Sequence, residues 1–117
     1  MKTILVVEDE SILRECIRDM LEGDQWIVYE ARNGREGLDF LANHKVDLVL
    51  TDVDMPIKNG LDMLKEFRTT NSETPVVVMS GKVTLDRKAL MSLGATSFMQ
   101  KPFVDLETLS QFLVPAA

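Results

Sequence analysis

Acidic, hydroxyl and amino side chains stand where short apolar runs of this chain end. Glu8 and Asp9 follow the run at 4–7, and Asp52 closes the run that begins at 46. Ser80 and Lys101 follow two later runs. Phosphoryl transfer needs such groups: an oxygen nucleophile, oxygen ligands for a metal ion, and donors that stabilise the developing negative charge.

If the first and third strands are neighbours in a parallel sheet, Glu8, Asp9 and Asp52 converge on one pocket beyond the strand ends. Three close carboxylates repel one another, so either one holds a proton or a divalent cation binds between them. Oxygen ligands without Cys or His favour Mg²⁺ or Mn²⁺ over zinc. In such a site Asp52 can attack phosphorus, while Lys101 neutralises charge and Ser80 donates a hydrogen bond.

The hydrophobic pattern predicts the sheet that would hold these residues. Continuous apolar runs predict five buried strands, at 4–7, 26–29, 46–50, 75–79 and 97–99. Ser11 is the expected N-cap of a first helix that Gly23 ends, and Asp105 is the expected cap of the last. The remaining helices are predicted at 35–43, 61–70, 85–93 and 106–113. Strict alternation predicts a parallel sheet with helices on both faces.

Composition excludes several classes of protein. The 117 residues fit a single domain, 1–117, and 45% of them are hydrophobic. A net charge of −6 without a basic cluster argues against direct binding of nucleic acid. No apolar run reaches membrane length, so we expect no membrane association. The single Cys16 requires no oxidising compartment, which predicts a cytoplasmic location, and the single His44 lies in a polar segment expected at the surface.

Five motifs occur in a recognisable order: LVVEDE from residue 5, ARNGREGL from 31, DVDMPIKNG from 52, SG at 80 and GATSFMQKPF from 94. Together they resemble the receiver domain of two-component response regulators, and the resemblance covers the whole chain. It implies a flavodoxin-like (βα)5 three-layer sandwich with strand order 2-1-3-4-5. Glu8 stands where Asp is commoner in the family, and Gly81 where Ala is frequent.

The resemblance implies that Asp52 accepts a phosphoryl group from a phosphohistidine on a sensor histidine kinase or histidine phosphotransfer protein. The reaction would require Mg²⁺, bound by Glu8, Asp9, Asp52 and the backbone carbonyl of Asp54. The chain would catalyse only its own phosphorylation and dephosphorylation and would not be a turnover enzyme.

The resemblance also assigns a switch to Ser80 and Phe98, which would respond to the phosphoryl group. Their movement would reshape the face formed by the fourth helix, fifth strand and fifth helix. That face would bind a downstream protein target or an effector domain outside this chain. Phosphorylation-dependent homodimerisation is a further expectation left open.

Two finer expectations concern the loops around the pocket. Asp54 and Lys82 are opposite charges that could pair across its mouth and slow the loss of the phosphoryl group. The peptide between Lys101 and Pro102 is expected to be cis, as the resemblance implies.

Two other functions compete with the receiver interpretation. LVLTDVD also resembles the nucleophile strand of haloacid-dehalogenase-like phosphatases, in which the second Asp acts as acid and base. Against this, the chain is short, and its acidic pair precedes the nucleophile instead of following it. A constitutive receiver-like protein-binding module is the second alternative, although no expected pocket residue is missing here.

Overall fold

The computed structural model describes residues 2–55, 57–81 and 87–100, together with Leu109 and Gln111. Strands and helices alternate through these residues, as the pattern predicts. The strands are β1 Thr3–Val7, β2 Ile27–Ala31, β3 Leu48–Asp52, β4 Val76–Ser80 and β5 Ser97–Gln100. The helices are α1 Ser11–Gly23, α2 Gly34–Leu41, α3 Gly60–Arg68 and α4 Arg87–Ser92.

The five strands form one parallel sheet in the order β2-β1-β3-β4-β5, which confirms the predicted order. The last residue of β1, Val7, lies opposite Ala31 of β2 on one side and Thr51 of β3 on the other. The chain therefore winds outward in both directions from β1. In doubly wound sheets of this kind, ligands bind beyond the carboxyl ends of the strands at the point of reversal.

Each face of the sheet carries its own apolar core, because alternate side chains of a strand point to opposite faces. Leu5, Val7, Val49 and Val78 pack with side chains of α3 and with Leu90 of α4. Ile4, Val6, Leu50 and Met79 pack on the other face with α1 residues Ile17 and Leu21 and with Leu109. Leu109 has helical geometry and is fully buried. The remaining residues of the predicted fifth helix, Gln111 apart, lie outside the described part of the chain.

The strands β3 and β4 run further than the apolar pattern predicts. β3 ends at Asp52 and not at residue 50, because Thr51 and Asp52 continue the pairing and are buried. β4 likewise extends to Ser80, which pairs with Gln100. Asp52 and Ser80 are therefore themselves the last residues of their strands, whereas Glu8 and Asp9 follow the last residue of β1.

The helix termini correct one prediction. Ser11 is the first residue of α1, and the preceding Glu10 occupies the cap position without a side-chain cap bond, so the predicted Ser11 N-cap is wrong. In contrast, Asn33 caps α2 by accepting from the N–H of Glu36, and Asn59 caps α3 by accepting from that of Asp62. A membrane-spanning helix is not found among the residues described.

Candidate functional site

Three carboxylates meet at the carboxyl edge of the sheet, as predicted. One carboxylate oxygen of each of Glu8, Asp9 and Asp52 lies within 4.8 Å of the others. Glu8 is 0% exposed and Asp52 is 2% exposed, whereas Asp9 is open to solvent. The adjacency of β1 and β3 produces this cluster, since Val7 and Thr51 lie opposite each other immediately before Glu8 and Asp52.

The backbone around Glu8 is held from several directions. Its N–H donates to the carbonyl of Ala31 at 3.0 Å, which continues the pairing of β1 with β2. Its carbonyl accepts from Nη1 of Arg14 at 2.8 Å, and its Oε2 accepts from the N–H of Glu10 at 3.1 Å. The position of this buried carboxylate is therefore set by β2 and by the first turns of α1.

The loop after Asp52 is anchored at both ends. The N–H of Val53 donates to the carbonyl of Met79 at 3.0 Å, and the N–H of Gly60 donates to that of Val53 at 2.9 Å. A Cβ on Gly60 would overlap the carbonyl oxygen of Asp52, so the close approach of α3 to β3 requires glycine here. The start of α3 thus fixes the backbone on which Asp52 stands.

A second contact ties this loop to the turn before α2. The N–H of Gly34 donates to the carbonyl of Lys58 at 2.9 Å, and a Cβ on Gly34 would lie 2.6 Å from that oxygen. Sequence reasoning did not find this contact or the one from Arg14. The Asn-Gly pairs at 33–34 and 59–60 indicate turns, but they do not indicate which turns are in contact.

Ile57 is the unusual residue of this loop. Its φ is 69°, in the left-handed region that a β-branched residue adopts only at a cost of about 1–3 kcal/mol. Ile57 is 82% exposed, so burial of its side chain does not offset that cost. In the sequence, Ile57 is recognisable only as part of the DVDMPIKNG motif, and no local signal indicates its exposure.

The carboxylate cluster fits a small divalent cation. Its donors are all oxygen, which suits Mg²⁺, and Mg²⁺ holds its ligands at about 2.0–2.1 Å, so opposite ligands lie about 4.2 Å apart. A spread of 4.8 Å is close to that value, so small side-chain movements would bring these oxygens into range. A cation there would also offset the mutual repulsion of the buried carboxylates.

Other predicted residues lie near the same edge. Ser80 is fully buried at the end of β4, next to β3. Phe98 lies in the edge strand β5 opposite Val78, where it is half-buried against the core. Asp54 is exposed, two residues beyond the end of β3.

Four predicted residues lie outside the described part of the chain: Lys82, Lys101, Pro102 and the helix cap Asp105. The predicted cis peptide also lies outside it. His44 is exposed, as expected. Its ring stacks on that of Phe40 with centroids 4.2 Å apart, which is a surface contact remote from the carboxylate cluster.

Comparisons with a family model and with curated proteins point to the same family. The family model of the response regulator receiver domain matches residues 4–113. The transcriptional regulatory protein CpxR of Escherichia coli is 38% identical over 112 residues, which are 95% of this chain and 47% of CpxR. The response regulator MprA of Mycolicibacterium vanbaalenii is 35% identical over 92% of this chain and 47% of its own length. The chain therefore spans about half the length of these curated relatives.

Solved structures agree in fold. The chemotaxis response regulator CheY4 of Vibrio cholerae superposes with a TM-score of 0.89 at 28% identity, over 97% of this chain and 99% of CheY4. The response regulator TrrA of Thermotoga maritima, solved in complex with Mg²⁺ and BeF, gives 0.88 at 29% identity over 97% and 100% of the two chains. With its flavodoxin-like sheet and the matched motifs, this chain belongs to the receiver domain family of two-component response regulators.

Proposed function

We propose that this chain is a phosphorylation-controlled signalling switch in which Asp52 accepts a phosphoryl group. The observation that carries the proposal is the burial of Asp52 at the carboxyl edge of the sheet, within 4.8 Å of two further carboxylates. An isolated surface aspartate would have no such neighbours. A buried acidic cluster of this kind gains stability from a cation and a ligand that brings its own donors and acceptors.

In the proposed reaction, an Oδ atom of Asp52 forms a bond to phosphorus as the bond from phosphorus to the donor's imidazole nitrogen breaks. The electron pair of the broken bond leaves with the imidazole, which takes up a proton. Glu8, Asp9, Asp52 and the backbone carbonyl of Asp54 would hold Mg²⁺, which supplies positive charge to the equatorial phosphoryl oxygens. Ser80 and Lys101 would bind those oxygens in the product.

The donor would be a phosphohistidine on a sensor histidine kinase or a histidine phosphotransfer protein, and the chain, 1–117, would act as one cytoplasmic domain. It would take up one phosphoryl group per molecule, without turnover of a separate substrate. The output partner would be a downstream protein or an effector domain outside this chain, or a second copy in a phosphorylation-dependent dimer.

The proposed switch rests on the strand order at the same edge. Ser80 ends β4, and Phe98 lies in the neighbouring strand β5, two residues before the partner of Ser80. Attraction of Ser80 to a phosphoryl group would favour an inward position of Phe98 and change the face made by α4 and β5. Such a shift is limited by the difference in phosphoryl affinity between the two states.

The test is intact mass after incubation with acetyl phosphate and Mg²⁺. We expect the wild type to gain one phosphate, dependent on Mg²⁺, and Asp52→Asn to gain none. Asp54→Asn is the matched control, because it removes a nearby exposed carboxylate and keeps the backbone carbonyl, so its mass gain should persist. Wild-type protein that binds Mg²⁺ and is phosphorylated neither by acetyl phosphate nor by a phosphohistidine protein would contradict the proposal.

A further inference from the structure

A shallow cavity of about 450 Å³ lies between α2 and α3, beside the loop that follows Asp52. We call it the α2–α3 surface, and it is lined by Ile57 and Lys58 of the loop, Arg35 of α2, and Asp62, Lys65 and Glu66 of α3. None of the residues of the carboxylate cluster lines it. It is therefore a separate surface that shares one loop with the proposed phosphorylation site.

The charge of this surface differs from that of the chain. Three cationic side chains face two acidic ones, a local excess of one positive charge, while the whole chain carries −6. Lys58 and Glu66 neutralise each other through an ion pair of 2.8 Å. Arg35 and Lys65 are exposed and form no ion pair with any residue that the structure describes. Asp62 is the third exposed charge outside the described ion pairs, so two cations and one acid remain on this surface. That balance favours a partner with an excess of negative charge.

Ile57 supplies an apolar centre for the same surface. Ile57 is exposed and has a φ of 69°. Its side chain therefore stabilises the folded chain neither by burial nor by a favourable backbone conformation. Asn or Gly would fit this backbone with less strain. A strained, exposed apolar residue beside a cavity is understandable if its side chain is covered when a partner binds.

We propose that the α2–α3 surface binds an acidic segment of a partner protein, whose carboxylates pair with Arg35 and Lys65 and whose one apolar side chain covers Ile57. The segment would touch the loop that begins at Asp52. The loop is held at the start of α2, where the N–H of Gly34 donates to the carbonyl of Lys58. A segment bound to Arg35 of α2 and Lys65 of α3 would therefore connect the two helices that flank this loop.

The experiment is a fluorescence anisotropy titration of the full chain, in low salt and without Mg²⁺, with a labelled synthetic peptide rich in Asp and Glu around one central leucine. We expect it to bind about tenfold more tightly than the same peptide with alanine for leucine. Ile57→Asn should abolish that preference, and Ile57→Val should retain it. Since Asn suits the backbone better, the loss cannot be attributed to unfolding if the variant melts at or above the wild-type temperature.

Charge reversal tests the second half of the proposal. Arg35→Glu and Lys65→Glu should each weaken the binding of the leucine peptide. Lys88→Glu, an equal charge change at an exposed residue of α4 that does not line this surface, should leave it unchanged. The proposal would be overturned if the two peptides bound equally, if Ile57→Asn still preferred the leucine peptide, or if neither peptide bound measurably. Self-association of the chain that Ile57→Asn abolishes would also overturn it, since the occupant would then be a second copy. All of these readouts are independent of phosphorylation.

Discussion

At the carboxyl edge of the sheet, Glu8 and Asp52 are buried beside Asp9, whereas at the amino edge Asp24 and Asp47 lie at or near the surface. The amino-edge carboxylates are satisfied one at a time. Oδ2 of Asp47 accepts from the N–H of Thr3 at 2.7 Å, and Asp24 pairs with Lys2 at 3.3 Å.

The carboxylates of the amino edge stabilise the fold through individual hydrogen bonds and ion pairs. Those of the carboxyl edge are brought close together by the fold although they repel one another. At the amino edge Asp47 and Asp24 each connect their own segment to β1 or to the residue before it, through Thr3 and Lys2. At the carboxyl edge three acids share one small volume, an arrangement with a stability cost that ligand binding can recover. Substitutions matched between the two edges should therefore differ in size or in sign.

The largest effect is expected from alanine in place of glycine. Gly60→Ala should lower the free energy of unfolding by about 3–4 kcal/mol, because the new Cβ would overlap the Asp52 carbonyl and α3 would have to move. Gly23→Ala, at the end of α1 with open space around it, should change stability by less than about 1 kcal/mol, in the stabilising direction. Urea denaturation of both variants measures the difference in their free energies of unfolding. Equal destabilisation of Gly60→Ala and Gly23→Ala would contradict the prediction.

Asp52→Asn should raise stability when Mg²⁺ is absent. Two unit charges about 5 Å apart repel by roughly 3 kcal/mol at an effective dielectric constant of about 20. The favourable interactions lost with the Asp52 charge offset part of that, which leaves a gain of about 1–2 kcal/mol. Added Mg²⁺ should stabilise the wild type more than the variant and so narrow or reverse the order. Unfolding curves in EDTA and in Mg²⁺ provide the measurement.

The matched change at the amino edge is Asp47→Asn, for which we expect a loss of about 0.5–1 kcal/mol from the weakened bonds to Thr3, with or without Mg²⁺. Opposite signs for these two Asp-to-Asn changes would support the contrast between the edges. A destabilised, Mg²⁺-insensitive Asp52→Asn would instead show that Asp52 has an ordinary structural role.

Among the residues that the structure describes, each edge holds one non-glycine residue with positive φ, Ile57 at the carboxyl edge and Gln25 at the amino edge. Ile57→Asn should raise the melting temperature, by an amount corresponding to about 1 kcal/mol, because the β-branched side chain is the more strained. Gln25→Asn should raise it less. A smaller gain at Ile57 than at Gln25 in thermal unfolding would mean that backbone strain does not distinguish the two edges.

The smallest effect concerns Glu36, an acid of α2 that forms an ion pair with Arg32. Hydrogen bonds from the Arg32 side chain and backbone, with the guanidinium charge, lower the pKa of Glu36 from its ordinary value. A lowered folded-state pKa stabilises the protein above the unfolded-state pKa, and this contribution is lost as pH falls through the folded-state value.

Arg32→Ala should therefore move the pKa of Glu36 upward in an NMR titration. The accompanying loss of stability at neutral pH should stay below about 0.5 kcal/mol, because the pair is exposed. An unchanged titration of Glu36 would show that the ion pair does not persist in solution.

The fold was predictable because its signals are local. Apolar runs such as 4–7 identify buried strands, and Asn33 with Gly34 and Asn59 with Gly60 mark helix starts through turn and cap chemistry. The ends of β3 and β4 were misplaced because Thr51, Asp52 and Ser80 are polar and yet buried. Polarity alone does not reveal that a strand continues into a pocket.

The sequence by itself determined which residue types follow each strand, and with the motif order it determined the family and the candidate set Glu8, Asp9 and Asp52. Tertiary structure alone decided that Arg14 holds the Glu8 carbonyl, that Gly34 meets Lys58, and that Ile57 stands exposed in a left-handed conformation. The physical reason is the range of the interactions. Propensity and capping act within a few residues, whereas these contacts exist only after the parallel crossovers bring distant turns to one edge of the sheet.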